Sequence, residues 1–335
     1  MGAEVKVSVV IPVRNEEKYV VSLLDSVLGN DFPQGALEVL IVDGMSTDRT
    51  RDLVLDYARK HSAIRLLDNP RQIIPSALNI GINAARGEVV VRMDAHTTYA
   101  PDYISQAVQA LEGTGATMVG GMQRPLGDTP VTRAIAAATT SRFGMGNSYY
   151  HYGDQMCWVE DSVYLGVWRR STLIQLGGFN ERWLINEDSE LNHRLRAAGG
   201  KILLCPELRS SYHVRGSFSA LARQFFRYGL WRARTCVVYP TSVGWRHLAA
   251  PMLVLSLLLS LVLSSNSLAL ALLVPCSYLL TNLCTSGAIL LRQGWNRALV
   301  PFAFCTIHLS WGSGFLIGLF RFVSMRWVDA QESST

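Results

Sequence analysis

An apolar stretch near the end of the chain limits the possible folds more than any other feature. Residues 248–291 form a 44-residue segment without one Asp, Glu, Lys or Arg. One membrane-spanning helix needs about 20 apolar residues, so this length predicts two spans. The polar run Ser-Ser-Asn-Ser at residues 264–267 is the natural turn between them. The segment therefore predicts a transmembrane hairpin rather than a buried helical hairpin of a soluble protein.

A third apolar segment follows at residues 299–320. It carries three glycines and His308, so it is either a third span or a re-entrant or tightly packed helix. Arginines flank the first two spans on both sides, at Arg246 and Arg292, which predicts that both flanks lie in the cytosol. A third full span would place Arg321 and Arg326 on the other side, against the same rule. The sequence therefore predicts two or three spans.

Charge divides the chain into two modules. Residues 208–335 carry eleven Arg against two acids, whereas the first 207 residues carry 20 bases against 24 acids. A mildly acidic front before a basic, apolar rear predicts a soluble module followed by a membrane module. The arginines are spread among apolar segments, so no nucleic-acid partner is expected. The six cysteines lack paired spacing, which favours reduced thiols.

The front module alternates apolar runs with helical patterns. Buried strands are predicted at residues 7–13, 37–43 and 88–94, and helices at 16–29, 48–60 and 75–86. This alternation predicts an α/β fold with a mostly parallel sheet, whose ligands bind at the carboxyl ends of the strands. Asp43 and Asp94 are the acids at those ends, and Ser46 or Thr47 is the expected N-cap of the second helix.

Between the modules, residues 218–238 mix aromatic residues with four arginines. A basic, aromatic, amphipathic helix is typical of one that lies in the headgroup layer of a membrane, although an ordinary surface helix has a similar pattern. The predicted organisation is a cytosolic soluble domain at 1–215, an interfacial segment at 216–247 and a transmembrane region at 248–327. The expected location is the cytoplasmic membrane, with the soluble domain facing the cytosol.

Three short motifs carry candidate chemistry, and each also has a plain structural interpretation. Asp43 could accept hydrogen bonds from a ribose or a base, or serve as a turn residue. Asp94 and His96 could meet a divalent cation that bridges two phosphates, or be an ordinary loop acid and a satisfied His. Glu187 and Asp188 begin a predicted helix that ends at Gly199, where acids also stabilise the helix dipole.

The order of four motifs resembles family 2 glycosyltransferases of the GT-A fold. The motifs are VSVVIPVRNEE, IVDGMSTDRT, ALNIGINAARGEVVVRMDAH and GGFNE followed by NEDSELNHRL, in register over roughly residues 6–230. The DAH triplet, the late His and the apolar tail are most similar to the ExoA-like subgroup, membrane-associated transferases of exopolysaccharide assembly.

The resemblance implies a role for individual residues. It implies that Asp188 is the catalytic base, and that Asp94 and His96, with His213, hold a divalent metal, Mn²⁺ or Mg²⁺. It also implies a set of residues that bind the nucleotide-sugar: Pro12, Asn15, Glu16, Asp43, Arg71, Asn79, Asp94, Glu187, Arg215, Gln224, Arg227 and Tyr228. The last three occupy the places of a Q-x-x-R-W motif, in which the Arg faces the diphosphate.

Three departures from the family pattern change what the resemblance implies. His96 stands where the second Asp of a DxD motif is usual, and imidazole suits Mn²⁺ better than Mg²⁺. Gly44 replaces the second acid of the common VDDGS turn, which leaves Asp43 alone there. Tyr228 in place of Trp, together with the few spans, argues against a processive synthase.

These features predict an inverting transfer of a sugar from a UDP-sugar to a hydroxyl of a lipid-linked saccharide. The alternatives are a polyprenyl-phosphate glycosyl synthase, a non-catalytic membrane scaffold and a transporter. The retained acids Asp43, Asp94 and Asp188 argue against a scaffold, and spans without ionisable residues beyond His308 argue against a transporter. The sugar and acceptor depend on the surroundings of Trp158, Glu160, Asp161 and Trp183, where no motif decides them.

Overall fold

In the computed structural model, residues 5–160, 162–265 and 267–323 are described. They divide into two compact units, one of residues up to 124 together with 148–213, and the other of residues 125–147 together with those from 214 onward. The chain leaves the first unit after residue 124, returns at residue 148 and leaves it again after residue 213. Asp161 and Arg326 lie outside the described residues.

The first unit holds most of the strands. The strands are β1 (Val7–Val13), β2 (Leu37–Asp43), β3 (Ile64–Asp68), β4 (Val89–Arg92), β5 (Thr97–Tyr99), β6 (Met118–Gly121), β7 (Arg124–Leu126, which crosses the unit boundary), β8 (Cys157–Val159), β9 (Tyr164–Arg169), β10 (Ile202–Leu204) and β11 (Ser210–His213). Its helices are α1 (Val20–Leu28), α2 (Thr50–Lys60), α3 (Ile74–Ala84), α4 (Tyr103–Gly113), α7 (Arg170–Gln175) and α8 (Glu187–Ala197).

Eight of these strands form one sheet in the order β3-β2-β1-β4-β9-β6-β10-β8. Strands β1, β2, β3 and β4 pair in parallel, as do β6 and β10, whereas β9 and β8 run antiparallel to their neighbours. The predicted α/β fold with a mostly parallel sheet is therefore confirmed. Strands β5 and β11 pair antiparallel apart from this sheet.

Both faces of the large sheet are covered, because its strands alternate side chains between two apolar clusters. Val9 and Ile11 of β1 face the cluster that includes α1 and α4, whereas Val10 faces the one that includes α3 and α8. This double burial explains why β1 and β2 are nearly continuous apolar runs. The parallel pairing of β1 with β2 and β4 brings the carboxyl ends of these strands to one edge of the sheet.

The second unit is helical. Its helices are α5 (Pro130–Thr139), α6 (Arg142–Met145), α9 (Phe218–Val238), α10 (Arg246–Leu263), α11 (Leu268–Gln293) and α12 (Val300–Val323). Three stretches, which include α10, α11 and α12, are long and apolar enough to cross a membrane, with mean hydropathies of 1.9, 1.7 and 1.4. Helix α10 ends at Leu263, Ser264 and Ser265 form a turn, and α11 begins at Leu268, so the two helices separate where the sequence predicts.

Glycines allow α9 and α12 to pack with their backbones in contact. A Cβ at Gly314 would lie 2.1 Å from the carbonyl oxygen of Phe226, and one at Gly318 would lie 2.5 Å from that of Leu230. On α9, a Cβ at Gly229 would lie 2.1 Å from the carbonyl oxygen of Trp311. Backbone atoms cannot rotate away as a side chain can, so only glycine fits at these positions.

We therefore expect Gly314→Ala to destabilise the protein by about 1–3 kcal/mol, the usual cost of forcing extra volume into a packed site. Gly287→Ala is the matched control, because that helical glycine has nothing within 4 Å of its would-be Cβ. Alanine there should be neutral or stabilising by up to about 1 kcal/mol. Thermal unfolding in detergent measures both variants, and equal unfolding temperatures would contradict the close helix packing.

Candidate active site

The loops after β1 and β2 are joined by hydrogen bonds around Asn15. This residue has a positive φ of 55°, which Asn tolerates better than most residues. Its N–H donates to Ser46 Oγ at 2.9 Å, and its Oδ1 accepts from the N–H of Thr47 at 2.8 Å. The N–H of Glu16 donates to Thr50 Oγ1 at 2.7 Å. The two loops therefore form one rigid rim at the edge of the sheet, next to Pro12 at the end of β1.

Helix α2 begins later than the sequence suggests. Its first residue is Thr50, and neither Ser46 nor Thr47 caps it, so that expectation is wrong. The hydroxyl of Ser46 instead donates to the carboxylate of Asp43, and Asp48 Oδ1 accepts from the N–H of Thr50 at 3.0 Å. Ser46 and Thr47 thus join the two loops, whereas Asp48 binds the first residue of the helix.

Asp43 has no solvent-exposed surface. Its carboxylate accepts hydrogen bonds from the N–H of Ser46 at 3.1 Å and from Arg51 Nη1 at 2.6 Å. The same Arg51 nitrogen donates to Asp68 at 2.8 Å, and these two carboxylates raise the pKa of Arg51. A nucleobase could therefore hydrogen-bond Asp43 only if the side chain of Ser46 or Arg51 moved. In this structure the carboxylate of Asp43 links the rim to α2 through these two residues.

Arg71 and Asn79 hold the GGFNE segment. Asn79 donates from Nδ2 to the carbonyl oxygen of Phe179 at 2.8 Å and accepts from its N–H at 2.8 Å. Asn79 also donates to Glu181 at 3.1 Å, and Arg71 pairs with the same carboxylate. Both residues thus hold the segment that leads into α8, while the Arg71 side chain is still 66% exposed. Their contacts with the nucleotide stay a prediction.

Asp94 and His96 lie in the loop between β4 and β5, and His213 ends β11, the antiparallel partner of β5. The ladder sets Tyr212 opposite Thr97, and the rings of Tyr212 and His96 lie 5.6 Å apart. A contact of His213 with Asp94 or His96 stays a prediction. The Nδ1 of His96 lies 3.7 Å from Glu16 Oε1, which connects this region to the rim. His213 is exposed and its ring stacks on Tyr19 with centroids 6.0 Å apart.

Among residues 5–160, 162–265 and 267–323, no three His, Cys, Asp or Glu side chains are grouped closely enough to hold a metal ion by themselves. Mg²⁺ and similar ions are commonly bound by one or two carboxylates together with substrate phosphates and water. A carboxylate at Asp94 and an imidazole at His96 fit such a half-built site, in which diphosphate oxygens would supply further ligands.

Arg92 is the centre of the acidic cluster and is a residue that the sequence analysis missed. Its Nε lies 3.3 Å from Asp94 Oδ1 and its Nη1 lies 3.0 Å from Glu187 Oε1, with 11% of the side chain exposed. Burial alone would lower its pKa, but the charges of Asp94, Glu187 and Asp188 outweigh this effect and raise it. Its position directly after three buried valines in β4 was the signal in the sequence that could have identified it.

The three acids in the first turn of α8 have different surroundings. Glu190 is fully buried and is held at both oxygens by Arg194, at 2.7 and 2.8 Å. Glu187 is buried against Arg92. Asp188 is half-buried, and among the described residues its carboxylate accepts one hydrogen bond, from the N–H of Ser189 at 2.7 Å. Asp188 is therefore the acid of this turn that can receive a proton from a ligand.

The surroundings of Glu187 raise its pKa to about 7. Burial is the main cause, and the nearby charges of Asp188 and Asp94 add to it, while Arg92 acts in the opposite direction. Because the native state then holds a proton that the unfolded state releases above about pH 4.5, this contribution to stability is full below pH 4.5 and is lost as the pH rises through 7.

We therefore expect the unfolding temperature of the wild type, relative to that of Glu187→Gln, to fall as the pH rises from 5 to 8. Glutamine is neutral throughout, so it removes this titration while it keeps the shape of the side chain. Thermal unfolding of both proteins across the pH range measures the difference. A difference that stays constant with pH would contradict the raised pKa of Glu187.

The remaining candidates belong to the helical unit, and three of them are joined by hydrogen bonds. Gln224 donates to the hydroxyl of Tyr228 at 2.8 Å and accepts from Arg215 Nε at 3.4 Å. Arg227, on the same helix, is exposed. In the first unit, Trp158 is exposed on β8, whereas Trp183 is only 2% exposed and does not line an open surface.

Comparison with known proteins places this arrangement in a family. The model of glycosyl transferase family 2 matches residues 8–159, and that of glycosyl transferase family group 2 matches residues 89–286. The chain is 30% identical over 315 residues to the succinoglycan biosynthesis protein ExoA of Rhizobium meliloti (strain 1021), covering 92% of this chain and 93% of that protein. The chain belongs to glycosyltransferase family 2. The resemblance seen in the sequence is thereby confirmed.

Two further comparisons extend this result. A dolichyl N-acetyl-alpha-D-glucosaminyl phosphate 3-beta-D-2,3-diacetamido-2,3-dideoxy-beta-D-glucuronosyltransferase of Methanococcus voltae is 27% identical over 67% of this chain and 71% of its own length. The mannosyltransferase PcManGT of Pyrobaculum calidifontis, solved with GDP-Man and Mn²⁺, matches with a TM-score of 0.65 at 22% identity, over 94% of this chain and 87% of that one. The structural match identifies the GT-A fold. Membership of the family shows that the chain is a glycosyltransferase.

Proposed function

We propose that this family 2 glycosyltransferase moves a sugar from a UDP-sugar to a hydroxyl of a lipid-linked saccharide, with inversion at the anomeric carbon. The observation that carries the proposal is the first turn of α8, where Asp188 keeps an available carboxylate while Glu187 and Glu190 are held by Arg92 and Arg194. A hydroxyl nucleophile needs a base, whereas a lipid phosphate needs little deprotonation. The arrangement therefore favours the saccharide acceptor over a polyprenyl phosphate.

In this mechanism the acceptor oxygen attacks the anomeric carbon, and the bond from that carbon to the diphosphate breaks. Asp188 takes the acceptor proton, and UDP departs with the bonding electron pair. One in-line displacement converts an α-linked donor into a β-linked product. Arg92 keeps Asp94 and Glu187 in place beside this reaction, because it binds both carboxylates.

Asp94 and His96, with His213, would hold a divalent ion, Mn²⁺ or Mg²⁺. Such an ion supplies positive charge that offsets the negative charge developing on the departing diphosphate. Pro12, Asn15 and Glu16 form the rim where the nucleoside would bind. The roles of Asp43, Arg71 and Asn79 in donor binding are indirect in this proposal, since each holds a loop. Those of Arg215, Gln224, Arg227 and Tyr228 toward the diphosphate rest on the family resemblance.

The proposed location is the cytoplasmic membrane, with a cytosolic catalytic domain at 1–215, an interfacial segment at 216–247 and spans within 248–327. The support is the exposure of α10 and α11, whose leucines are turned outward. Leu261, Leu273 and Leu280 are 72%, 61% and 66% exposed. Such surfaces are stable when lipid covers them. The basic flanks at Arg246 and Arg292 support a cytosolic front.

The test is a screen of UDP- and GDP-sugars with the purified full-length protein, read by release of the nucleoside diphosphate. We expect release of UDP from a UDP-sugar when a lipid-linked saccharide is present, together with transfer of the sugar to that acceptor, which mass spectrometry detects. Release from GDP-sugars alone would contradict the donor, and transfer to a bare polyprenyl phosphate would favour the alternative synthase. Magnetic resonance of the product reports whether the anomeric configuration inverts.

A further inference from the structure

The packing of α12 distinguishes it from α10 and α11, although all three are apolar enough to cross a membrane. In the stretch that contains α12, 39% of the most apolar 18-residue window is buried within the protein. The same share is 17% for α10 and 11% for α11. The helices that pack against α12 show how deep in the membrane it can lie. They are α9, α5, and particular turns of α10 and α11.

Helices α9 and α12 run side by side in the same direction. Gly314 contacts the backbone of Phe226, and four residues later on both helices Gly318 contacts that of Leu230. Farther along, the ring of Phe322 lies 5.9 Å from that of Trp231. Contacts that advance together along two chains define a parallel pair, so α9 and α12 share one orientation relative to the membrane.

The parallel packing of α9 and α12 rules out a topology in which α9, α10, α11 and α12 all cross the membrane. If α9, α10, α11 and α12 were four consecutive spans, the first and the fourth would cross in opposite directions, and neighbours would be antiparallel. Since α9 and α12 are parallel, they cannot both be spans of that series. Because the two helices pack side by side, they either both cross the membrane or both stay at its surface. If α10 and α11 form a transmembrane hairpin, neither α9 nor α12 therefore crosses.

Helix α9 is also unsuited to the hydrocarbon core by its charges. It carries Arg223 and Arg227 on exposed positions one turn apart. An arginine at the centre of a bilayer costs about 2.5–3.5 kcal/mol on insertion scales. At the membrane surface the same side chains meet headgroups and anionic lipids favourably.

The start of α12 is covered by a helix too short to cross. Val300, Ala303 and Phe304 pack in one apolar cluster with Ala134 and Ala138 of α5. The ten residues of α5 extend about 15 Å, half of the roughly 30 Å hydrocarbon core. His308, farther along α12, hydrogen-bonds the carbonyl oxygen of Phe143 in α6 at 2.8 Å. This end of α12 therefore contacts protein where a spanning helix would contact lipid.

The contacts with α10 show that α12 does not run deeper into the membrane from its first residue to its middle. A Cβ at Gly312 would lie 2.5 Å from the carbonyl oxygen of Ala250, and Trp311 stacks on His247. Ala250 is only four residues after Arg246, about 6 Å along α10. A helix entering the membrane after Arg297 would be about 20 Å deep at Gly312. Instead, the middle of α12 lies beside the start of the first span.

We infer that α12 is not a third span, and that α9 and α12 lie as a parallel pair in the surface layer of the membrane on the side of the catalytic domain. The inference rests on the proposal that α10 and α11 cross. One face of α12 exposes Phe302, Leu309, Ile317 and Phe320, which are 62%, 39%, 50% and 86% exposed and recur at seven, eight and three residues. This stripe is the surface that lipid acyl chains cover, next to the two spans.

The arrangement also resolves the charge conflict in the sequence. With two spans, Arg246, Arg292 and Arg297 lie on the side from which the first span starts, and so does Arg321 at the end of α12. Every one of these arginines then obeys the positive-inside rule. With three spans, Arg321 would lie on the opposite side.

A protease-accessibility experiment on the full chain tests the topology. A short cleavage site for a membrane-impermeant protease is inserted at residues 264–267 or 294–297, or appended after Thr335, in three separate variants. Membrane vesicles of both orientations are then treated. We expect the first site to be cut only from the face opposite the catalytic domain, and the other two only from the catalytic face.

Two results would overturn the inference in different ways. Cutting after Thr335 from the same face as the site at 264–267 would make α12 a span. Cutting at 264–267 from the catalytic face would remove the two spans on which the inference depends. Donor turnover is measured on the same vesicles, so that a failure of the proposed glycosyltransferase activity is recognised separately from a failure of the topology.

Discussion

Asp188→Asn is expected to reduce the rate of sugar transfer by about 10²–10⁴-fold, the usual contribution of a positioned general base. Asparagine has nearly the same shape and still accepts the hydrogen bond from the N–H of Ser189, but it cannot take a proton. Because the donor is held by other groups, the affinity for the nucleotide-sugar should change little. Turnover with a lipid-linked acceptor measures the loss, and titration calorimetry with the intact donor measures the binding.

Asp52→Asn is the matched control for this prediction. Asp52 is also an aspartate in the first turn of an 11-residue helix, α2, and it is exposed. The same change there removes the same interaction with a helix dipole, worth about 0.3–1 kcal/mol, and leaves the site intact. Equal losses of turnover in the two variants would mean that the effect is structural. Full turnover of Asp188→Asn would exclude Asp188 as the base.

The strands and the long helices could be predicted because their burial dictates their sequence. Strands β1 and β2 begin and end where the apolar runs do, at Val7–Val13 and Leu37–Asp43. The predicted amphipathic helix at 218–238 matches α9. Strand β4 was predicted too long, because it ends at Arg92 rather than at Asp94. The N–H of Met93 still donates to the carbonyl oxygen of Val10 at 3.1 Å, so Asp94 lies just beyond the last bond to β1.

Other features could not be predicted because they depend on contacts between distant parts of the chain. The transfer of residues 125–147 to the helical unit has no local signature: α5 is an ordinary helix whose alanines happen to face Val300 and Phe304. In the same way, the sequence does not reveal that Arg51 and Ser46 hydrogen-bond the carboxylate of Asp43. Hydropathy likewise identifies α12 as apolar without showing that protein covers its first turns.

The family resemblance assigned the role of base to Asp188 but gave no physical reason why the neighbouring acids could not take it. Glu187, Asp188 and Glu190 are all carboxylates in the first turn of α8, and the sequence contains no measure of their burial. The physical reason lies in two arginines, since Arg194 holds Glu190 and Arg92 holds Glu187. Arg194 is four residues after Glu190, which helical spacing could have revealed. Arg92 lies on another element, 95 residues before Glu187.

Removing the charge of Arg92 should therefore be the most destabilising single change in the site. Arg92→Met leaves Glu187 and Asp94 without their shared cation in a buried setting, which typically costs about 3–5 kcal/mol. For a domain of 150–250 residues this corresponds to a fall of roughly 6–20 °C in the unfolding temperature. The loss should grow between pH 5 and pH 8, because the unpaired Glu187 is tolerated better when it is protonated.

The double variant Arg92→Met with Glu187→Gln distinguishes a charge effect from a packing effect. If the cost of Arg92→Met comes from the unpaired carboxylate of Glu187, the neutral glutamine should restore a large part of the lost stability and remove most of the pH dependence. If the cost comes from a cavity, the two changes should add. A single variant that loses less than about 1 kcal/mol would show that Arg92 does not hold the cluster together, because even an exposed ion pair contributes up to that amount.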